Sequence, residues 1–378
     1  MKIFLAGATG ALGRQLLPRL VERGHDVTGM TRSESKQQLI RDLGGRPVVG
    51  DALDPVSVAQ AVAAAEPETI VHELTAIPHA LDVRHFARDF AQTNRLRTEG
   101  TDHLLAAGRA VGARRFVAQS YAPIIFARVG GPVKGEDDPV DESPPEQMRA
   151  TVDAIRHLES AVTGAGWTEG VVLRYGAFYG PGTTFSLGPE GAMVETIRKR
   201  QLPLMGKAGG VWSFIHIEDA AEATVNAIEG SGRGVYNIVD DEPAAVAEWL
   251  PIAARAVEAP APRRVPRWLG RLFAGESATM MMTEARGASN AKAKRELGWT
   301  LRYPSWRDGF VAAYAGPRDA RRPRPGRLRG SVPASLDERH LGPDGGWPGN
   351  EQPHEGHDLP ERPPVRRDEL PGSSGDAR

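Results

Sequence analysis

Residues 2–13 read Lys2-Ile3-Phe4-Leu5-Ala6-Gly7-Ala8-Thr9-Gly10-Ala11-Leu12-Gly13. A short apolar run predicts a first strand, and glycines at every third position then lead into a segment of helical spacing. Glycine serves where a turn is tight, where backbone must approach a pyrophosphate, and where a helix packs closely on a strand. The helix N-terminus then offers unpaired N–H groups to phosphates. The spacing GxxGxxG differs from the commoner GxGxxG. Gly7, Thr9, Gly10, Ala11, Leu12 and Gly13 are therefore candidate contacts to a dinucleotide.

Outward from this turn, short β-branched runs alternate with longer helical stretches as far as about residue 180, the rhythm of a parallel sheet with crossover helices. The pattern predicts strands at Lys2–Ala6, Asp26–Met30, Pro47–Val49, Thr69–Glu73, Arg115–Gln119 and Gly170–Arg174. Helices are expected near 11–23, 55–65, 82–107 and 146–165, with Pro18 kinking the first. The expected fold class is α/β with a doubly wound parallel sheet. Residues 1–180 form the nucleotide-binding domain in this scheme. A smaller substrate lobe, sharing some segments with the core, spans 181–315, with helical stretches at 190–200, 218–229 and 244–257.

The end of the second strand tests the cofactor. An acid there holds a ribose 2′-hydroxyl in NAD-preferring sites, but this chain reads Met30-Thr31-Arg32-Ser33. Arg32 puts a cation where a 2′-phosphate would lie, and Arg14 and Lys36 are candidates for the same pocket. The expected cofactor is NADP(H), ahead of NAD(H). A solvated loop arginine is the alternative for Arg32.

With these residues in view, residues 1 to about 312 resemble the extended short-chain dehydrogenase/reductase superfamily, often called the NAD-dependent epimerase/dehydratase family. The resemblance implies an NAD(P)-binding Rossmann fold. Asp51 and Ala52, in Asp51-Ala52-Leu53-Asp54, look like the family's adenine-contacting segment, and Leu74 and Thr75 follow strand four beside the cofactor. Asn94 is similar to the family's asparagine on the next helix. Tyr175, Gly176 and Ala177 occupy the loop that passes the nicotinamide. Trp212–Ala221, Val235–Ile238 and Leu297-Gly298-Trp299 resemble later family signatures.

One departure stands beside these matches. The family commonly uses Tyr-x-x-x-Lys, a spacing that sets both groups on one helix face so the lysine can lower the tyrosine's pKa. Aligned on Glu159, those positions hold Thr151 and Ile155, and no tyrosine in the chain has lysine four residues later. The family's serine or threonine after strand five maps to Ser120 or Tyr121. Tyr121 is the expected substitute acid, with Ser120 beside it; an aromatic packed in a strand-end cleft is the alternative. His157 is a second candidate acid or base.

Composition bounds the rest. Zero cysteines exclude disulfides, thiolate metal sites and a cysteine nucleophile, and fit a reducing compartment. His72, His79, His85 and His103 fall in one region without paired-ligand spacing, so no metal is expected. With 47 basic and 48 acidic side chains, nothing draws the whole chain to nucleic acid or membrane. No run approaches a spanning helix and the N-terminus lacks a signal pattern, so a cytoplasmic protein is expected. Helix-mediated dimers are common in the family, which leaves a homodimer open. Residues 316–378 are about one-third Pro and Gly and are expected to be a disordered tail. Its start, Arg318–Arg329, holds six arginines against Asp319 alone.

The function expected from these features is an NADP(H)-dependent oxidoreductase acting on a small carbonyl or hydroxyl substrate. Two alternatives stay open. One is an NADP(H)-binding redox sensor or assembly protein without turnover, and the other a nucleotide-sugar epimerase or dehydratase.

Overall fold

The computed structural model describes residues 1–78 and 81–314. His79 and the expected tail at 316–378 lie outside the described residues. The sheet is built from β1 (Lys2–Ala6), β2 (Asp26–Thr31), β3 (Arg46–Val49), β4 (Thr69–His72), β5 (Arg115–Tyr121), β6 (Glu169–Tyr175) and β7 (Gly234–Ile238). These seven strands are all parallel, in the order β7-β6-β5-β4-β1-β2-β3. The order reverses between β1 and β4, where Ile3 lies between Val27 and Thr69. At such a switch point the crossover helices diverge to opposite faces and leave a crevice at the carboxyl ends of the strands.

Six of the strands match the periodic pattern to within two residues at each end. The seventh does not come from the alternating stretch at all. It returns from far beyond β6 and pairs with it from Gly234 beside Val171 to Ile238 beside Tyr175. The segment 181–315 thereby contributes to the main sheet.

The crossover helices are α1 (Ala11–Glu22), α2 (Gln37–Asp42), α3 (Pro55–Ala65), α4 (Phe86–Arg95), α5 (Thr101–Val111) and α6 (Glu146–Thr163). The helix α1 runs through Pro18 as one element, so the missing N–H frees at most the carbonyl of Arg14. It buries Leu16, Leu17 and Leu20 against β1 and the helix Ile217–Glu229. On the other face Val58 and Val62 of α3 meet Leu104 and Leu105 of α5. Each such side chain contributes roughly 1.5–3 kcal/mol on burial. The helix expected at 82–107 runs from Phe86 to Val111 with a π-helical turn inside it. A short turn at Val83–His85 precedes α4, and the π-helical turn Leu96–Gly100 joins α4 to α5.

The remaining core is aromatic. Phe214 packs edge-on against Trp249 and Phe310, at centroid separations of 5.3 and 5.2 Å, a geometry favoured by the ring quadrupoles. The helices Arg267–Thr283, Ala291–Leu297 and Trp306–Tyr314 complete this region. Among the described residues, no helix is long and apolar enough to cross a membrane.

Candidate functional site

The glycine turn is built of backbone that leaves no room for side chains. Gly7 has φ +102°, and a Cβ there would lie 2.6 Å from the carbonyl oxygen of Glu73. At Gly13 a Cβ would lie 2.2 Å from the Gly7 carbonyl oxygen. Gly10 caps α1, its own N–H bonded to the Gly7 carbonyl at 3.0 Å. The first turn of α1 has no acidic side chain, so the positive end of the helix dipole stands open to an anion.

A cleft of about 250 Å³ opens over this turn, lined by Gly7, Thr9 and Gly10 on one wall. Thr31, Arg32, Ser33 and Lys36 form a second wall, and Ala52, Glu73, Leu74 and Thr75 a third. Candidates separated by up to 68 residues thus meet in one place. Arg32 and Lys36 are exposed there, with no carboxylate at the end of β2. Leu12 and Gly13 are buried beneath the turn, and Ala11 is half-buried at the start of the helix.

Arg14, Asp51, Gly176 and Ala177 do not themselves line this cleft, although Asp51 stands between its lining residues Gly50 and Ala52. The Arg14 guanidinium lies 3.0 Å from where a Cβ on Gly182 would stand. Asp51 caps its own turn, its Oδ1 accepting from the N–H of Leu53 at 3.0 Å. Gly176 and Ala177 lie against the strand Phe214–His216, where the N–H of Ala177 donates to the Ser213 carbonyl at 2.9 Å.

At the ends of β4, β5 and β6 the site is made of side chains. Glu73 is buried at the end of β4 and accepts from the Tyr175 hydroxyl at 3.2 Å. Burial pushes its carboxyl up to about 8, which keeps it protonated at neutral pH. Tyr175 also shares a 2.6 Å hydrogen bond with Thr224. Ser120 is buried, and its hydroxyl donates to Glu159 at 2.7 Å. The same carboxylate takes a bidentate pair from Arg174 at 2.8 and 2.6 Å, the strong geometry for this partnership.

Tyr121, next to Ser120 on the alternate face of β5, is half-buried. Burial pushes its phenol up to about 12, with the charge of Arg97 pulling the other way. On α6, Thr151 and Ile155 are fully buried, and Asn94 donates to the Thr151 hydroxyl at 3.1 Å. His157 sits on the exposed side of α6 and bonds Asp102 at 2.8 Å, away from these groups. His72 is buried between the Leu96 carbonyl and Thr101, and burial pushes it down to about 4.

One residue that no motif pointed to belongs here. Arg97 stands on the π-helical turn, 2% exposed, with its Nη1 lacking any hydrogen-bond partner among the described residues. Glu73 Oε2 and Asn94 Oδ1 are likewise buried without partners. Sequence offers one signal for Arg97: it is the second arginine of Asn94-Arg95-Leu96-Arg97, and only Arg95 pairs with Glu99 on the surface.

A doubly wound sheet with a glycine turn at its switch point defines a dinucleotide-binding protein of the short-chain dehydrogenase/reductase kind. Residues 3–238 match the family model described as the NAD dependent epimerase/dehydratase family, and the chain belongs to that family. A 3-diazoavenalumate denitrifying reductase of a Streptomyces species is 44% identical over 311 residues, covering 82% of this chain and 99% of the relative. A 4-hydroxy-2-methyl-3-oxo-4-farnesyl-3,4-dihydroquinoline-1-oxide ketoreductase of Stigmatella aurantiaca is 27% identical, covering 66% of this chain and 71% of its own. Among solved structures, the UDP-glucose 4-epimerase of Thermus thermophilus, in complex with NAD, superposes with a TM-score of 0.64. It is 24% identical and the match covers 83% of this chain and 98% of that one. With its family and its reductase relatives, the chain is an NAD(P)-binding oxidoreductase.

Proposed function

We propose that this protein is an NADP(H)-dependent reductase whose substrate carbon bears a diazo group, which hydride displaces as dinitrogen. The observation that carries this is α6. Where its family commonly places a tyrosine and a lysine, the chain buries Thr151 and Ile155. Carbonyl reduction consumes a proton at oxygen, which that pair exchanges. Displacement of dinitrogen does not: the hydride pair forms the C–H bond, the C–N pair departs with N2, and no proton is taken up. A site without the pair suits the second reaction, and the relative at 44% identity is named for a denitrifying reduction of a diazo acid.

The residues at the glycine turn fit a dinucleotide, since Gly7 and Gly13 keep backbone clear where side chains would collide. When bound, the reduced nicotinamide supplies the hydride. Gly10 and the open first turn of α1 hold the pyrophosphate. Arg32 and Lys36 hold the 2′-phosphate, and Leu74 and Thr75 flank the cofactor along its course. Ser120 acts here through Glu159 and Arg174 by fixing the end of β5, while Tyr121 meets the substrate.

A second reading is favoured by Tyr121 itself. Its phenol retains its proton well past neutrality, as a donor to a carbonyl oxygen must, and the Stigmatella relative is a ketoreductase.

The test is NADPH deuterated at the transferred position, offered with an arenediazonium carboxylate or with a ketone. One deuterium at the carbon vacated by nitrogen, with gas release, is the expected result; deuterium only at a carbinol carbon would establish the second reading instead. Arg32→Ala should weaken NADPH on the order of tenfold or more while sparing NADH, the worth of a charged hydrogen bond. Equal losses for both would remove Arg32 from the 2′-phosphate site.

A further inference from the structure

An unpaired guanidinium inside a protein is costly, because desolvation is repaid only by a partner. Arg97 is such a group. Its own carboxylate candidate, Glu159, is already saturated by Arg174 and Ser120. Its placement is set by its neighbours: His72 at the end of β4 bonds the Leu96 carbonyl of the same turn and the Thr101 hydroxyl just after it, and Asn94 one turn earlier bonds Thr151 of α6. That is the carboxyl edge of the sheet, where ligands bind in this architecture. The turn that carries it is π-helical, a distortion found frequently at functional sites.

We propose that Arg97 is the oxyanion-binding residue of this reductase, its free Nη1 receiving an anionic oxygen of the substrate beside the Tyr121 hydroxyl. This rests on the hydride-displacement function proposed above and narrows the substrate to a conjugated anion that also carries the diazo group. The charge balance gives the reason. A diazonium with an anionic oxygen is internally neutral. As the C–H bond forms and the C–N bond breaks, the positive group leaves as neutral N2, and the oxygen's charge is left without its counter-ion. A fixed, permanently charged guanidinium stabilises that change without moving a proton. Lysine at position 155 would do similar work from α6, but Ile155 is fully buried and apolar. The cation is supplied from the α4–α5 connection instead.

The experiment uses the full chain saturated with NADP⁺ and 4-nitrophenol as the probe, because its phenolate absorbs where the phenol does not. Bound beside Arg97, the probe should ionise at lower pH than it does free in solution. Arg97→Gln should abolish that shift and weaken phenolate binding on the order of tenfold or more, while Arg97→Lys should retain part of it. NADP⁺ binding, followed separately, should be unchanged in both variants. An unshifted probe on the wild-type protein, or an equal shift in Arg97→Gln, would overturn the assignment while leaving the reductase function standing. Loss of NADP⁺ binding by the wild-type protein would instead strike the reductase function. If Arg97→Gln does not fold, the wild-type and Arg97→Lys titrations still decide.

Discussion

At the β1–α1 turn the ligand cleft is made of backbone, whereas the groups gathered at the ends of β4, β5 and β6 act through their side chains. At Gly7 and Gly13 the requirement is the absence of a Cβ, satisfied within one heptapeptide. The side-chain half draws Glu73, Asn94, Arg97, Thr151 and Glu159 from the end of β4, from α4, from the π-helical turn and from α6. A local constraint leaves a local mark, and a constraint shared among distant elements leaves none. The first half therefore specifies a cofactor class while the second sets what is done with it.

The largest effect that would sharpen this contrast lies in the side-chain half. Arg174→Met leaves the buried Glu159 with Ser120 alone, and breaking a buried pair from one side costs about 3–5 kcal/mol. Thermal unfolding should show it, and Glu159→Leu added to Arg174→Met should recover much of the loss. A single-variant cost near zero would mean that the pair does not hold β5, β6 and α6 together.

In the backbone half, Gly13→Ala gains helix propensity of about 1 kcal/mol but drives a Cβ to 2.2 Å from the Gly7 carbonyl oxygen. The clash should win, costing about 1–3 kcal/mol and abolishing NADPH binding in a fluorescence titration. Full affinity in this variant would mean that the turn tolerates a Cβ at Gly13.

A further effect is one of pH. Glu73 and Asp240 are raised by burial from 4.5 and 3.8 to about 8, so both are protonated in the fold at neutral pH. Below the unfolded values their contribution to stability is complete. It is lost as pH rises toward and through 8, because the unfolded chain then sheds protons that the fold retains. Glu73→Gln should remove about half of this decline in unfolding midpoint between about pH 5 and 8.5, with Asp240 carrying the rest.

The strands from β1 to β6, the glycine turn and the cation after β2 were legible in the sequence because each rests on spacing or on a residue's own conformational limits. Asp51 and Arg14 were legible as motif positions, while the contacts their side chains make were not. Asp51 Oδ1 accepts from the N–H of Leu53, and the Arg14 guanidinium lies beside Gly182. Arg97 was passed over for a different reason: a charged residue on a helix reads as solvated, yet on this π-helical turn its side chain is buried. Ser120 was recognisable as a strand-end serine, yet its partner Glu159 lies 39 residues on and Arg174 a further 15. No spacing rule spans such gaps.

The late return of Gly234–Ile238 to the sheet has a consequence for anyone who would divide the protein. A fragment ending near residue 180 would retain the whole glycine turn and its cleft, but it would strip β6 of its outer neighbour. Val171, Val172 and Leu173 would then stand on an open edge with unpaired N–H and C=O groups. Such an edge is an invitation to pair with another chain, so the nucleotide-binding half made alone is expected to aggregate through it.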